Sequence, residues 1–169
     1  MNIKGFLPCL LLFGMLITIS SCGDDDPANS FTYNGNTYEL TAGYLSDVGG
    51  NLNNTHDFDV FLVSSGISTT GSVFTGMGEL IYLDLNTSSS AGLETGTYNW
   101  SSARDAFTVV PGSELFLEYD LSDLSGQQIR FMSGTVNVTV NGSEYTIDFN
   151  MESNGSTIAG SYTGPLQNI

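Results

Sequence analysis

Positive charge is almost missing from this chain. Lys4, Arg104 and Arg130 are its only basic residues against 18 acids, and the formal net charge is −15. A protein that grips nucleic acid neutralises phosphates with several cations on one face, so nucleic acid is excluded as a partner. Direct adhesion to an anionic lipid surface is excluded on the same ground. Such acidity favours solubility, cation association and neutral or basic partners. His56 is the only histidine, and Cys9 and Cys22 are the only cysteines. Zinc needs three or four ligands from His, Cys and acids, and this supply is too thin. A histidine-dependent nucleophilic site would have to rest on His56 alone, and no Gly-x-Ser-x-Gly elbow accompanies it. His56 falls in Asn53-Asn54-Thr55-His56-Asp57, which reads as a loop, so a surface histidine is expected. No glycine loop of the phosphate-cradling kind is present.

Helical periodicity with caps is missing as well. In its place are Gly, Ser, Thr, Asn, Tyr and Val, with turn dipeptides at short intervals. This is the pattern of an all-β chain.

The first 21 residues read as an address rather than as structure. Lys4 supplies a positive start, and an apolar run passes through Leu10-Leu11-Leu12-Phe13 to Ile17. The run ends in small residues at Ser20-Ser21-Cys22, as a secretory signal does. It is shorter than the roughly 20 apolar residues of a membrane span, and Pro8 and Gly14 interrupt it. Ile19-Ser20-Ser21-Cys22 resembles the lipobox of bacterial lipoproteins, with Ile19 where leucine is commoner. That resemblance implies cleavage before Cys22 and a lipid anchor on Cys22. Cys9 then leaves with the signal, and no disulfide can form within the mature chain. Gly23-Asp24-Asp25-Asp26 follows at once and resembles the surface-export signal of Bacteroidota lipoproteins. The resemblance implies an outer-membrane, cell-surface address. The expected organisation is a signal at 1–21, an acidic tether at 22–29 and one domain at 30–169. Removing the 21-residue signal leaves 148 residues, and losing Lys4 takes the net charge to −16. A domain of that size buries roughly 70 % of its unfolded surface.

The C-terminal third allows strands to be read in register. Thr135 to Val140 alternates polar and apolar, Asn141-Gly142 is a tight-turn signal, and Tyr145, Ile147, Phe149 and Met151 continue the alternation. With Asn141-Gly142 as a two-residue loop, Val138 faces Tyr145 and Val136 faces Ile147. Asn154-Gly155 makes a second turn, pairing Met151 with Ile158, Phe149 with Gly160 and Ile147 with Tyr162. A three-stranded meander with one buried face results, and Pro165 ends it. Asn34-Gly35 signals another hairpin. Further strands are expected at 57–63, 79–85, 96–100 and 114–119, with loops at 47–56, 64–77, 86–95 and 101–113. About nine strands in one domain make a single antiparallel β-sandwich, with a closed or partly open lipocalin-like barrel as the alternative.

A repeat at an offset of 64 residues links Leu83-Asp84-Leu85-Asn86 with Ile147-Asp148-Phe149-Asn150, and Gly96-Thr97-Tyr98 with Gly160-Ser161-Tyr162. It is either one hairpin type used twice or a duplication. Tyr162 points inward by register, so Tyr98 is expected inward, and Trp100 shares its face. The segments Gly134-Thr135-Val136, Tyr145 to Phe149 and Ile158 to Leu166, together with Gly96-Thr97-Tyr98, look like the C-terminal half of small Bacteroidota surface lipoproteins. The resemblance covers about half of the mature chain and implies address and fold. From it only the lipidated Cys22 carries over.

Acids are the plentiful chemistry. Asp57-Phe58-Asp59 sets two carboxylates on one strand face, and Asp120-Leu121-Ser122-Asp123 gathers two in a turn. Calcium takes six to eight oxygens from such groups, so both pairs are candidate ligands, although neither has an EF-hand spacing. Glycoside hydrolysis needs two carboxylates about 5–9 Å apart, and no recognisable glycosidase motif is present. For glycan binding the aromatic candidates are Tyr44, Tyr82 and Tyr119, with Trp100 favoured as core. The polar loops at 47–56, 64–77 and 86–95 would form a rim. The expectation is a non-catalytic, lipid-anchored surface module for glycan or nutrient capture. A subunit docking to another outer-membrane protein is the second reading, and a small carboxylate-dependent glycan hydrolase the third.

Overall fold

The computed structural model describes residues 28–51 and 53–169. The expected signal at 1–21, Cys22 and most of the acidic tether lie outside the described residues. Every element among the described residues is a strand. In chain order these are β1 (Ser30–Tyr33), β2 (Asn36–Glu39), β3 (Ala42–Gly50), β4 (His56–Val63), β5 (Ile67–Thr70), β6 (Val73–Thr87) and β7 (Gly96–Trp100). The second half adds β8 (Thr108–Val109), β9 (Glu114–Asp120), β10 (Ser125–Arg130), β11 (Ser133–Asn141), β12 (Glu144–Ser153), β13 (Ser156–Gly164) and β14 (Leu166–Asn168). The fold is all-β, as the composition suggests, and the described residues form fourteen strands where about nine were expected.

The strands form one strongly curled sheet, consistent with a β-sandwich or half-barrel, in the order β14-β3-β4-β6-β8-β7-β11-β12-β13-β1-β2. The sheet forks at the long β6. Its C-terminal end pairs with β8, its middle with β9 and its N-terminal end with β5, and β9 in turn pairs with β10. Two pairs are parallel, β14 with β3 and β7 with β8, so the sheet is mixed rather than purely antiparallel. The curl brings β3 against β13. A Cβ added at Gly43 would lie 2.9 Å from the Tyr162 ring, so only glycine allows that approach.

Both turn signals of the meander are used, one with a changed register. Asn154 and Gly155 take φ of 49° and 82°, the two positive values of a type I′ turn, and Met151 pairs with Ile158 and Ile147 with Tyr162 as expected. In the first hairpin only Gly142 has positive φ, 65°, and Asn141 pairs with Glu144. The loop is therefore Gly142-Ser143, with glycine at the first central position as a type II′ turn demands. The pairing moves by two residues: Val138 faces Ile147 and Val136 faces Phe149. A shift of two preserves which side each residue faces, so the buried set is unchanged.

Val60, Leu83, Leu85, Tyr98, Val136, Ile147, Met151, Ile158 and Tyr162 meet in one cluster inside the curl, filled by side chains. Tyr98 is fully buried, and Trp100 packs half-buried against the same cluster, both on the face expected. A smaller cluster covers the other side of β3, β4 and β6. There Tyr44, Val63, Ile67 and Leu80 pack with Phe61, Phe74 and Phe116. β4 and the parts of β3 and β6 beside it are thus largely covered on both faces, while β11, β12 and β13 show polar residues to water on one.

The strands missed in sequence have weak patterns. β3 carries three glycines in nine residues, and β10 opens Ser-Gly-Gln-Gln without a β-branched residue. Pro165 ends the meander, but the chain resumes beyond it as β14 on the free edge of β3, a place that tolerates a proline beside it. The repeat keeps strand parity only. β12 and β13 are direct partners, whereas β8 lies between β6 and β7, so the first copy is not a hairpin.

Candidate functional site

Period-two geometry puts Asp57, Asp59, Phe61 and Val63 of β4 on one face. Antiparallel pairing with β6 sets Asn86, Asp84, Tyr82 and Leu80 directly opposite them. The row runs from apolar at one end to acidic at the other. Asp57, Asp59 and Asp84 each place a carboxylate oxygen within 4.8 Å of the others. The face is roofed. Asp57 and Asp84 are each only 6 % exposed, and Asn86 is fully buried.

Part of the roof is the segment 101–107, which carries Arg104. The Thr55 hydroxyl donates to the Arg104 carbonyl at 2.8 Å, and the Phe107 amide donates to the Asn86 carbonyl at 2.7 Å. So held, Arg104 donates to Asp57 Oδ2 at 2.5 Å and to Asp84 Oδ2 at 3.1 Å. The Tyr82 hydroxyl donates to Asp59 Oδ1 at 2.9 Å. One guanidinium thus serves two of three crowded carboxylates. The remaining charge shows in the protonation equilibria. Burial, then the hydrogen bond with Asp57 and its charge, push Asp84 up to about 7 against the pull of Arg104. Burial also raises Asp59, with the Tyr82 hydrogen bond opposing. The Tyr82 phenol is raised by burial and then by Asp59, so it stays a donor. Among the described residues two buried side-chain atoms have no hydrogen-bond partner, Asp57 Oδ1 and Asn86 Nδ2.

The other sequence candidates fall elsewhere. His56 opens β4 rather than lying in a loop; its Nε2 sits 2.5 Å from Asp47 Oδ1, and its ring packs on Phe58. Asp120 is half-buried and accepts the Ser122 amide and hydroxyl at 2.8 and 2.7 Å, while Asp123 accepts the Ser125 amide at 3.0 Å. These two acids cap their own turn and do not join a third carboxylate. Tyr44 is buried edge-on against Phe74, Tyr82 stacks on Phe61, and Tyr119 packs on Phe116, so none is a free platform.

A second feature is an open groove of about 700 Å³ between β2 and the forked end of β6, bordered by Tyr38, Glu39, Ser65, Met77, Glu79 and Glu118. It adjoins a smaller groove of about 340 Å³ that shares Tyr38 and Glu118 and reaches Gln127 on β10. One face of the Tyr38 ring stacks on Phe31, with centroids 4.9 Å apart. Glu118 sits where the β9–β10 pairing skips from Leu117–Gln127 to Asp120–Ser125. Its φ is 47°, a left-handed conformation that costs a non-glycine residue energy and re-aims the side chain. Neither groove is lined by Asp57, Asp59 or Asp84.

Sequence reasoning missed Asp84, Arg104, Tyr38 and Glu118. For Asp84 a signal existed, since alternation in 79–85 puts it on the face of Tyr82. No signal exists for Arg104, which arrives from a loop, or for the bulge at Glu118. Comparison with known proteins leaves the site to its own chemistry: no protein-family model, no curated protein and no solved structure matches this chain.

Proposed function

We propose that the protein is a non-catalytic binding module, held at the outer surface of a bacterial outer membrane by a lipid on Cys22, that captures a neutral or basic glycan in the Tyr38–Glu118 groove. The carrying observation is the bulge that holds Glu118 left-handed at the point where the two grooves meet. Strain of this kind clusters at binding sites, where the surrounding structure holds it in place. The groove is open and polar. Glu39, Glu79 and Glu118 offer acceptors to sugar hydroxyls, and Tyr38 offers an aromatic edge. A net charge of −15 disfavours anionic polymers. Ile19-Ser20-Ser21-Cys22 and the acidic run behind it support the anchor and the address.

The test is a thermal-shift screen of the full-length chain in mild detergent against neutral and basic polysaccharides. A ligand at a hundredfold its dissociation constant stabilises by about 2.7 kcal/mol, a rise of several degrees at this size. The rise is expected for the parent and absent in Glu118→Ala. No rise with any polysaccharide, or an undiminished rise in Glu118→Ala, refutes the reading.

A further inference from the structure

We propose that Asp57, Asp59 and Asp84 form a binding site for one divalent cation of the calcium class, distinct from the glycan groove and sharing no residue with it. Three observations meet here. The first is spacing. Oxygens that share a calcium ion each lie about 2.3–2.6 Å from it, so any two of them lie no more than about 5 Å apart. The three carboxylates offer oxygens within 4.8 Å of one another. The second is an orphan atom. Asp57 is 6 % exposed, its Oδ2 is taken by Arg104, and its Oδ1 is buried with no hydrogen-bond partner. A buried carboxylate oxygen without a donor costs energy that a bound cation removes. The third is charge. The three carboxylates share one guanidinium on a face roofed from water, so acid exceeds base there and a divalent ion offsets the excess. Glu114, the next acid along this face, is already matched by Arg130 at 3.0 Å and by a hydrogen bond from Gln128.

The position of Arg104 fits the same reading. It reaches the pair from the roof and donates to Asp57 Oδ2 at 2.5 Å and to both Asp84 oxygens, Oδ2 at 3.1 Å and Oδ1 at 3.5 Å. Of the two Asp57 oxygens, Oδ1 is the one that no protein donor takes. Asp59 is the least buried of the three, so water can complete the shell from its side. The site therefore joins β4 to β6, next-door strands at the fork of the sheet, and a bound ion would stiffen that fork.

Terbium(III) is the probe, because its luminescence is sensitised by a nearby phenol and Tyr82 donates a hydrogen bond to Asp59. The full-length chain in detergent should show one saturable luminescent site that calcium displaces. Asp59→Asn and Asp57→Asn should each weaken terbium binding at least tenfold, while Asp120→Asn leaves it unchanged. Asp59 is partly exposed, so its variant keeps the test decisive if Asp57→Asn fails to fold; far-UV circular dichroism of each variant checks this. No sensitised signal, or a signal that persists at parental affinity in Asp59→Asn, overturns the proposal. The polysaccharide screen reads the other site, and either result can fail without the other.

Discussion

Leu83-Asp84-Leu85-Asn86 in β6 and Ile147-Asp148-Phe149-Asn150 in β12 are nearly the same four residues, and half of each has the same fate. Leu83 and Ile147 are fully buried in the main cluster, and Leu85 and Phe149 beside them are buried as well. The polar halves diverge. Asp148 and Asn150 are exposed, and Asp148 accepts the Ser161 hydroxyl at 2.6 Å. Asp84 and Asn86 are buried, and Asp84 faces Asp59 across the strand pair. The cause is not local. β12 has water on its polar side, whereas β6 has the 101–107 segment and the β5 hairpin over it. An alternating strand chooses its two faces by itself, but what covers the second face decides whether a carboxylate is a solvated charge or a buried one.

The largest test of this comparison concerns the shared half. Leu83→Ala and Ile147→Ala should each cost about 3 kcal/mol of unfolding free energy, since both delete a fully buried side chain. Urea denaturation giving costs that differ by more than a factor of two would break the equivalence of the inner faces. Next comes the roof. Arg104→Ala, measured at pH 8 with chelator present, should cost about 2–3 kcal/mol, toward the low end for a broken buried pair because the guanidinium is 42 % exposed. A cost under about 0.5 kcal/mol would mean that Asp57 and Asp84 are not confined by it.

The smallest test is the most selective. The folded chain holds a proton on Asp84 up to about pH 7, while the unfolded chain releases it near pH 4. The native state therefore binds more protons between these values, and this group's contribution is lost as pH rises through 7. With chelator present, the parent should lose on the order of 1–2 kcal/mol more than Asp84→Asn between pH 5 and pH 8, after allowance for screening by solvent and Arg104. Asp148→Asn should follow the parent. Equal pH slopes for parent and Asp84→Asn would show that both aspartates are solvated alike.

Legibility followed the range of the forces involved. The Asn154-Gly155 turn needs only its own two positive φ values, so its register could be read from sequence. Asn141-Gly142 misled by one position because Gly142-Ser143 makes an equally good two-residue turn of the other type. The buried side survived the error, since alternation does not depend on the partner. For the site, the shared face of Asp57 and Asp59 was legible for that reason. Asp84 was visible as a strand residue but not as their neighbour, because nothing local tells β4 to pair with β6. The turn acids Asp120 and Asp123 looked equivalent to Asp57 and Asp59 on composition, and only their surroundings separate them.

The sequence by itself determined an all-β chain, the inward side of its clearest strands and, through Ser20-Ser21-Cys22, the expectation of an anchored address. These rest on composition, period-two alternation and short motifs, all of which act within a few residues. The tertiary structure alone decided the fork at β6, the second layer over β3, β4 and β6, the reach of Arg104 into the acids and the bulge that aims Glu118 into the groove. Each depends on segments far apart in the chain arriving at one place. Burial, and with it the protonation of Asp84 and the orphaned oxygen of Asp57, exists only once they have.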